Sequence, residues 1–220
     1  PPKGHGARRS GAPFNPFSRI VRTLRRGAAF FALTLFIAAC QSKTESFHGM
    51  DVTGAGYGRT LVAMDHSGVK RSLADFYGKV VVLFFGFVQC PDVCPTTLST
   101  LSTALAGLGK DADRVQVLFI TVDPDRDTPA RMADYVKRFK ADMIGAVANP
   151  ESLKAFAESF AAAYRKMPVA ADGTYRVDHN HPIYLVGTAG HFVSALNENL
   201  TPEQIAQALR AKLPPLMPPG

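Results

Sequence analysis

The sequence has few cysteines and, at its N-terminus, no acidic residues, and each shortage narrows the possible functions. Three of its 220 residues are cysteine, too few for the disulfide framework of a small secreted domain. Residues 1–39 contain seven of the 25 Lys and Arg but none of the 18 Asp and Glu. The remaining 18 basic residues balance the acidic ones, so the formal charge of +7 belongs to the N-terminal segment. We therefore expect no nucleic-acid partner for the rest of the chain.

The N-terminal apolar run is also short. Residues 28–39 (AAFFALTLFIAA) fall below the roughly 20 apolar residues that a membrane-spanning helix needs. They follow a basic stretch at 22–26, which is the layout of a secretory signal. Residues 37–40 (IAAC) resemble the lipobox of bacterial lipoproteins, and that resemblance implies cleavage before Cys40 and a lipid on its thiol. An uncleaved N-terminal anchor is the alternative. Either one would hold the domain at a bacterial cell membrane, facing the periplasm or the exterior.

The sequence pattern of the rest of the chain predicts a single α/β domain. We expect a leader at 1–39, a polar and Gly-rich tether at 40–56, the domain at 57–213 and a frayed tail at 214–220. The order of elements in the domain, an N-terminal hairpin followed by alternating strands and helices, resembles the thioredoxin fold. The predicted strands are 80–85, 115–122, 144–147, 183–186 and 191–196, the predicted helices are 95–108, 129–139, 150–164 and 202–212, and residues 166–177 form a hairpin or flap.

The residues that carry chemistry follow the first buried strand. Cys90 and Cys94 are four residues apart, and at the start of a helix they would lie on one face, one turn apart. A helix N-terminus favours the thiolate over the thiol. The carboxyl end of a buried strand is also where open α/β sheets place their sites.

The spacing of the two cysteines leaves two uses open. The usual thioredoxin redox pair has two intervening residues, whereas Cys90 and Cys94 have three between them. Two such thiolates can form a disulfide as a catalytic redox pair, or they can bind one soft metal ion such as Cu(I). A third metal ligand would then come from a histidine.

Three segments together resemble the Sco/SenC family: GFVQCPDVCPTT (86–97), VDPDRDTP (122–129) and VDHNHPIYLV (177–186). The resemblance implies a membrane-tethered copper chaperone of thioredoxin fold. It assigns Cys90, Cys94 and His179 as the ligands of one copper ion, Cu(I) or Cu(II). It further implies delivery of copper to the copper centre of cytochrome c oxidase subunit II, or to a similar copper protein, with a periplasmic copper donor as a possible second partner.

Two functions from different classes therefore compete. The first is a copper-binding metallochaperone. The second is an enzyme, a thiol–disulfide oxidoreductase that reduces the cysteines of the same copper centre through Cys90 and Cys94. A peroxidase of the peroxiredoxin kind is a weaker third possibility, because its cysteine motif differs.

Pro182 and several polar residues carry further expectations. Pro182 precedes a predicted strand, as the cis-proline of thiol oxidoreductases does, so we predict a cis His181–Pro182 bond that would favour the redox function. His181, two residues after His179, is either a competing ligand or solvated. The remaining polar residues are expected to be structural: Asp123, Asp125 and Asp127 as loop caps near the site, His66 in a solvated turn, and His191 packed or at the surface.

Overall fold

The computed structural model describes residues 49–51 and 61–215. The predicted leader, the lipidation candidate Cys40, most of the tether and most of the tail lie outside the described residues. None of the helices in the described part of the chain is long and apolar enough to cross a membrane.

A mixed eight-stranded sheet forms the centre of the fold. The strands of the described residues are β1 Gly49–Asp51, β2 Ala63–Asp65, β3 Lys70–Arg71, β4 Val80–Gly86, β5 Val115–Thr121, β6 Met143–Val147, β7 Tyr164–Lys166, β8 Val177–His179, β9 Ile183–Val186 and β10 Phe192–Leu196. The strand order is β1-β10-β9-β4-β5-β6-β2-β3, and β7 pairs with β8 in a separate two-stranded sheet. Strands β4, β5 and β6 run parallel to one another, and all other pairings in the eight-stranded sheet are antiparallel.

Strand β4 lies at the middle of this sheet, and all seven of its residues are buried. It forms in the continuous apolar run because helices cover both faces of the sheet, so no position needs to be polar. Successive side chains alternate between two hydrophobic cores. Val80, Val82 and Phe84 face one core, and Val81, Leu83 and Phe85 face the other.

The helices divide between these two cores. Three of them bury side chains in the first core, and the fourth packs in the second beside the 3-10 turn Leu73–Phe76. This layered arrangement places the start of the first helix at the carboxyl end of β4. The helices are α1 Val93–Leu108, α2 Pro129–Val136, α3 Pro150–Ser159 and α4 Pro202–Lys212, with α3 in the second core.

The helix starts agree with the sequence prediction better than the helix ends. Thr128 caps α2 by accepting a hydrogen bond from the Arg131 N–H, and Thr201 forms a capping box with Gln204 at α4. However, α2 ends three residues before the predicted Phe139, and α3 ends five residues before the predicted Tyr164. The chain after α3 turns through Ala161, whose φ is 52°, and then pairs as β7 with β8.

The predicted N-terminal hairpin is present as β2 and β3, but one expectation about its turn is wrong. His66 is half-buried, and its Nδ1 accepts a hydrogen bond of 3.0 Å from the Gly145 N–H. It therefore ties the hairpin to β6 instead of facing solvent. Beside it, Asp65 is buried, and burial alone would raise the pKa of its carboxyl group. Hydrogen bonds from Ser67, Val69 and Arg71 outweigh burial and hold the pKa of Asp65 well below its usual value.

Candidate metal centre

Cys94 lies in the first turn of α1 and is completely buried. Cys90 lies four residues earlier, in the loop between β4 and the helix, and is half-buried. The prediction that both cysteines share one helix face is therefore wrong, because α1 begins only at Val93. The loop nevertheless returns Cys90 to the helix start, where its Sγ accepts a hydrogen bond from the Cys94 N–H at 3.4 Å.

Gly86, the last residue of β4, makes room for the Cys94 sulfur. A Cβ atom at this position would lie 2.7 Å from Cys94 Sγ and 2.7 Å from a ring carbon of Phe119. Both distances are far below ordinary van der Waals contact. Sequence reasoning did not single out this residue, although a glycine that ends an otherwise large-residue strand directly before a cysteine motif was the available signal.

His179 is the last residue of β8 and points its imidazole at the cysteine pair. Its Nε2 lies 3.9 Å from Cys94 Sγ. Its Nδ1 lies 2.9 Å from the carbonyl oxygen of Asn180. Because a carbonyl only accepts hydrogen bonds, Nδ1 carries the proton and the lone pair of Nε2 faces the sulfurs.

The structure thus brings together the three predicted metal ligands. The donor atoms of Cys90, Cys94 and His179 all lie within 4.8 Å of one another, and neither of these two cysteines forms a disulfide. Two thiolates and one neutral imidazole are soft and borderline donors, the set that favours Cu(I) over hard cations. The arrangement therefore fits one copper ion in three-coordinate geometry.

The two thiols differ in acidity. A hydrogen bond from the Cys94 thiol is the largest cause that lowers the pKa of Cys90 to about 3, and the hydrogen bond from the Cys94 N–H lowers it further. The same hydrogen bond and burial raise the pKa of Cys94. The metal-free pair therefore holds one thiolate and one thiol. Binding of a metal ion by both sulfurs has to release the proton of Cys94.

The loop after β5 supports the cysteine loop through Asp127. This carboxylate is completely buried, and its Oδ2 accepts hydrogen bonds from the Val88 N–H at 2.9 Å and from the Thr121 hydroxyl at 2.7 Å. The predicted capping role therefore holds, but the loop that Asp127 stabilises is the one before Cys90. Burial, the largest cause, raises the pKa of Asp127.

Arg126 joins the loop that carries Cys90 to the segment that carries His179. Its Nη1 donates to the Gln89 side chain at 2.8 Å and to the Tyr175 carbonyl at 3.1 Å. Its guanidinium lies 3.7 Å from the centre of the Tyr175 ring, close enough for a cation–π interaction. Asp123, predicted as a loop cap, accepts from both Arg126 and the Tyr175 hydroxyl. Sequence reasoning did not predict this role for Arg126.

A cleft of about 520 Å³ opens beside the cysteine pair. It is lined by Phe87, Cys90, Arg126, Tyr175, His179 and His181, whereas buried Cys94 lies behind it. The predicted cis His181–Pro182 bond is wrong, since the described residues contain no cis peptide bond. The position of Pro182 directly before β9 does not require a cis bond, because most X–Pro bonds in folded proteins are trans.

A family model described as SCO1/SenC matches residues 53–213. The chain belongs to the SCO1/SenC family. Among its relatives, the mitochondrial SCO2 homologue of Danio rerio is 41% identical over 149 residues, which are 67% of this chain and 53% of the relative. The chain thus spans about half the length of that relative.

Solved Sco structures share the fold of this family member. The copper-bound ScoI of Bradyrhizobium japonicum is 38% identical, with a TM-score of 0.66, and the match covers 71% of this chain and 99% of that one. The apo Sco1 protein of Thermus thermophilus is 34% identical, with a TM-score of 0.67, and the match covers 77% of this chain and 99% of that one. These matches confirm the predicted thioredoxin-like α/β fold.

Proposed function

We propose that this SCO1/SenC protein is a metallochaperone that binds one copper ion through Cys90, Cys94 and His179 and delivers it to the copper centre of cytochrome c oxidase subunit II. The observation that carries the proposal is the convergence of two sulfurs and one imidazole nitrogen within 4.8 Å. The copper-bound ScoI of B. japonicum supports the choice of metal. The identity of the acceptor rests on family resemblance.

The unequal burial of the ligands suits release of the ion to a partner. Cys90 and His179 line the open cleft, so thiolate or imidazole ligands of an acceptor can approach the metal there. Cys94 is buried behind them and keeps the ion attached while the other two ligands are exchanged. Stepwise ligand exchange of this kind needs no free copper ion in solution.

Copper stoichiometry and transfer test this function. The reduced domain is expected to bind one Cu(I), and His179→Ala is expected to weaken binding in a competition with a chromophoric Cu(I) chelator. His191→Ala is the matched control, because His191 is exposed in the turn between β9 and β10. The copper-loaded domain is then mixed with the reduced, metal-free soluble domain of subunit II. Absorbance should show that the copper centre of subunit II forms. Equal copper affinity in His179→Ala and the parent would remove His179 from the site.

The unequal thiols also favour a second function, thiol–disulfide oxidoreductase. Cys90 faces the cleft with a lowered pKa, and Cys94 is buried with a raised pKa. The Cys90 thiolate would attack a substrate disulfide, forming a mixed disulfide and releasing one substrate thiolate. Cys94, after losing its proton, would attack Cys90 Sγ, which releases the second thiolate and leaves the Cys90–Cys94 pair oxidised. A trapped mixed disulfide between Cys94→Ser and oxidised subunit II would support this function, and rapid copper transfer without any such adduct would contradict it.

We further propose that a lipid on Cys40 attaches the domain to a bacterial cell membrane. The support is the lipobox-like sequence at 37–40 after a short apolar run. The D. rerio relative is named as a mitochondrial protein, so the type of membrane is open to direct test. Cys40→Ser should abolish incorporation of radiolabelled fatty acid and release the domain from membranes in a bacterial host. Retention of the variant in the membrane fraction would instead support an uncleaved anchor.

A further inference from the structure

His181 lies beside the proposed copper ligands without belonging to them. Its ring centroid is 4.3 Å from that of His179, with the ring planes at 64°. Both imidazoles line the same cleft as Cys90. His181 follows His179 by two residues, just after the end of β8.

The three-ligand site suits Cu(I) better than Cu(II). Two thiolates and one imidazole suit Cu(I), which accepts low coordination numbers. Cu(II) prefers a tetragonal arrangement of four donors that includes nitrogen or oxygen. The site therefore lacks one donor for Cu(II), and this donor has to come from a side chain at the cleft or from solvent.

Other polar side chains at the cleft already have partners. The Gln89 side-chain oxygen accepts from Arg126, and the Asp178 carboxylate pairs with Arg165 at 3.6 Å. Within residues 61–215, His181 makes a ring contact with His179 but no side-chain hydrogen bond. His181 is half-buried, so ordering its side chain on a metal ion costs less conformational entropy than ordering a fully exposed one.

We propose that His181 is a second imidazole ligand for copper in its +2 state. Cys90, Cys94, His179 and His181 then provide four nitrogen and sulfur donors for Cu(II), whereas Cu(I) stays on the first three. The nitrogens of His181 lie outside the compact three-ligand cluster, so the side chain turns toward the ion when Cu(II) binds. This inference rests on the proposed copper-binding function.

Spectroscopy and affinity measurements on matched variants test the proposal. The parent, His181→Ala, His181→Asn, Asp178→Asn and the control His191→Ala are reduced and then loaded with Cu(II) without oxygen. Pulsed electron paramagnetic resonance counts the coordinated imidazoles, chelator competition measures both copper affinities, and thiol titration checks that both cysteines remain reduced. The parent and His191→Ala should show two imidazoles, and both His181 variants one. Loss of His181 should weaken Cu(II) by at least roughly the 10- to 100-fold that outer-shell partners already contribute, with Cu(I) affinity unchanged.

Several outcomes would overturn the proposal. One is a single imidazole in the parent, and another is the same spectrum in the parent and His181→Ala. A change in Asp178→Asn alone would assign the fourth donor to that carboxylate. Immediate oxidation of both thiols by Cu(II) would show that the four-ligand state does not form. A parent that binds no Cu(I) would contradict the proposed copper-binding function itself. If the parent binds Cu(I) normally, each of the Cu(II) outcomes above contradicts only the role of His181.

Discussion

Gly86→Ala is expected to disturb the metal centre and the core at once. The added methyl would lie 2.7 Å from Cys94 Sγ and 2.7 Å from Phe119, whereas ordinary contacts begin at 3.4 Å, so each neighbour has to move by about 0.7 Å. Cys94 and Phe119 are both completely buried, so a shift of either side chain has to displace neighbours in a closely packed interior. Overpacking of this kind typically costs about 1–3 kcal/mol of unfolding free energy.

Denaturant unfolding of the reduced, metal-free domain measures this cost, and chelator competition measures the accompanying loss of Cu(I) affinity. Gly107→Ala is the matched control. Gly107 lies within α1 with open space around its Cβ position, so alanine there should stabilise the domain by roughly 0.5–1 kcal/mol. If Gly86→Ala matched the parent in both stability and copper affinity, the close approach of β4 to Cys94 would not constrain the site.

Three further predictions concern the supports of the site and the hairpin. Arg126→Gln should weaken Cu(I) binding by roughly 10- to 100-fold in chelator competition, because it removes the cation that joins Gln89 to Tyr175; the exposed-surface control Lys154→Gln should bind normally. Cys90 should be alkylated by iodoacetamide at a nearly constant rate from about pH 5 to 8, since its folded pKa is about 3. The ionised Cys90 contributes to folding stability above the pKa of an unfolded cysteine, and this contribution should decrease as the pH falls from that pKa to the folded one. Cys94→Ala should raise the pKa of Cys90 and make its alkylation pH-dependent, whereas Cys94→Ser, which keeps a hydroxyl donor, should raise it less. Asp65→Asn should destabilise the reduced domain by about 1–3 kcal/mol in urea, because Asp65 accepts from Ser67, Val69 and Arg71; unchanged stability would show that these bonds contribute nothing net.

The sequence predicted those parts of the fold that depend on local patterns. The apolar run at Val80 predicted a strand buried on both faces, and the Thr-Pro pairs at 128–129 and 201–202 predicted two helix starts, because these signals act within one turn of the chain. Helix ends were less accurate. The end of α3 depends on β7 pairing with β8, a contact across a turn that helical propensity does not report.

In the candidate site too, some features were predicted from the sequence and others depend on tertiary contacts. Family resemblance selected Cys90, Cys94 and His179, and the structure brings their donor atoms together. The contacts that support them were not predictable from local patterns. Arg126 lies in a loop whose acidic residues predict ordinary loop capping. Only the tertiary fold shows that the Arg126 side chain donates hydrogen bonds to both Gln89 and Tyr175. The cis peptide bond was predicted from position alone, and the described residues contain none.

The two-stranded sheet of β7 and β8 has a consequence for how long an ion stays bound. His179 belongs to this ribbon, whereas Cys94 belongs to the core of the main sheet. A metal ion held by both therefore crosslinks two parts of the molecule that hydrogen-bond in separate sheets. Opening of the ribbon alone would remove the imidazole while the main sheet stays folded, so we expect the dissociation rate of the ion to depend on the free energy of this local opening. Slower amide hydrogen exchange in β7 and β8 on metal binding would report that coupling directly.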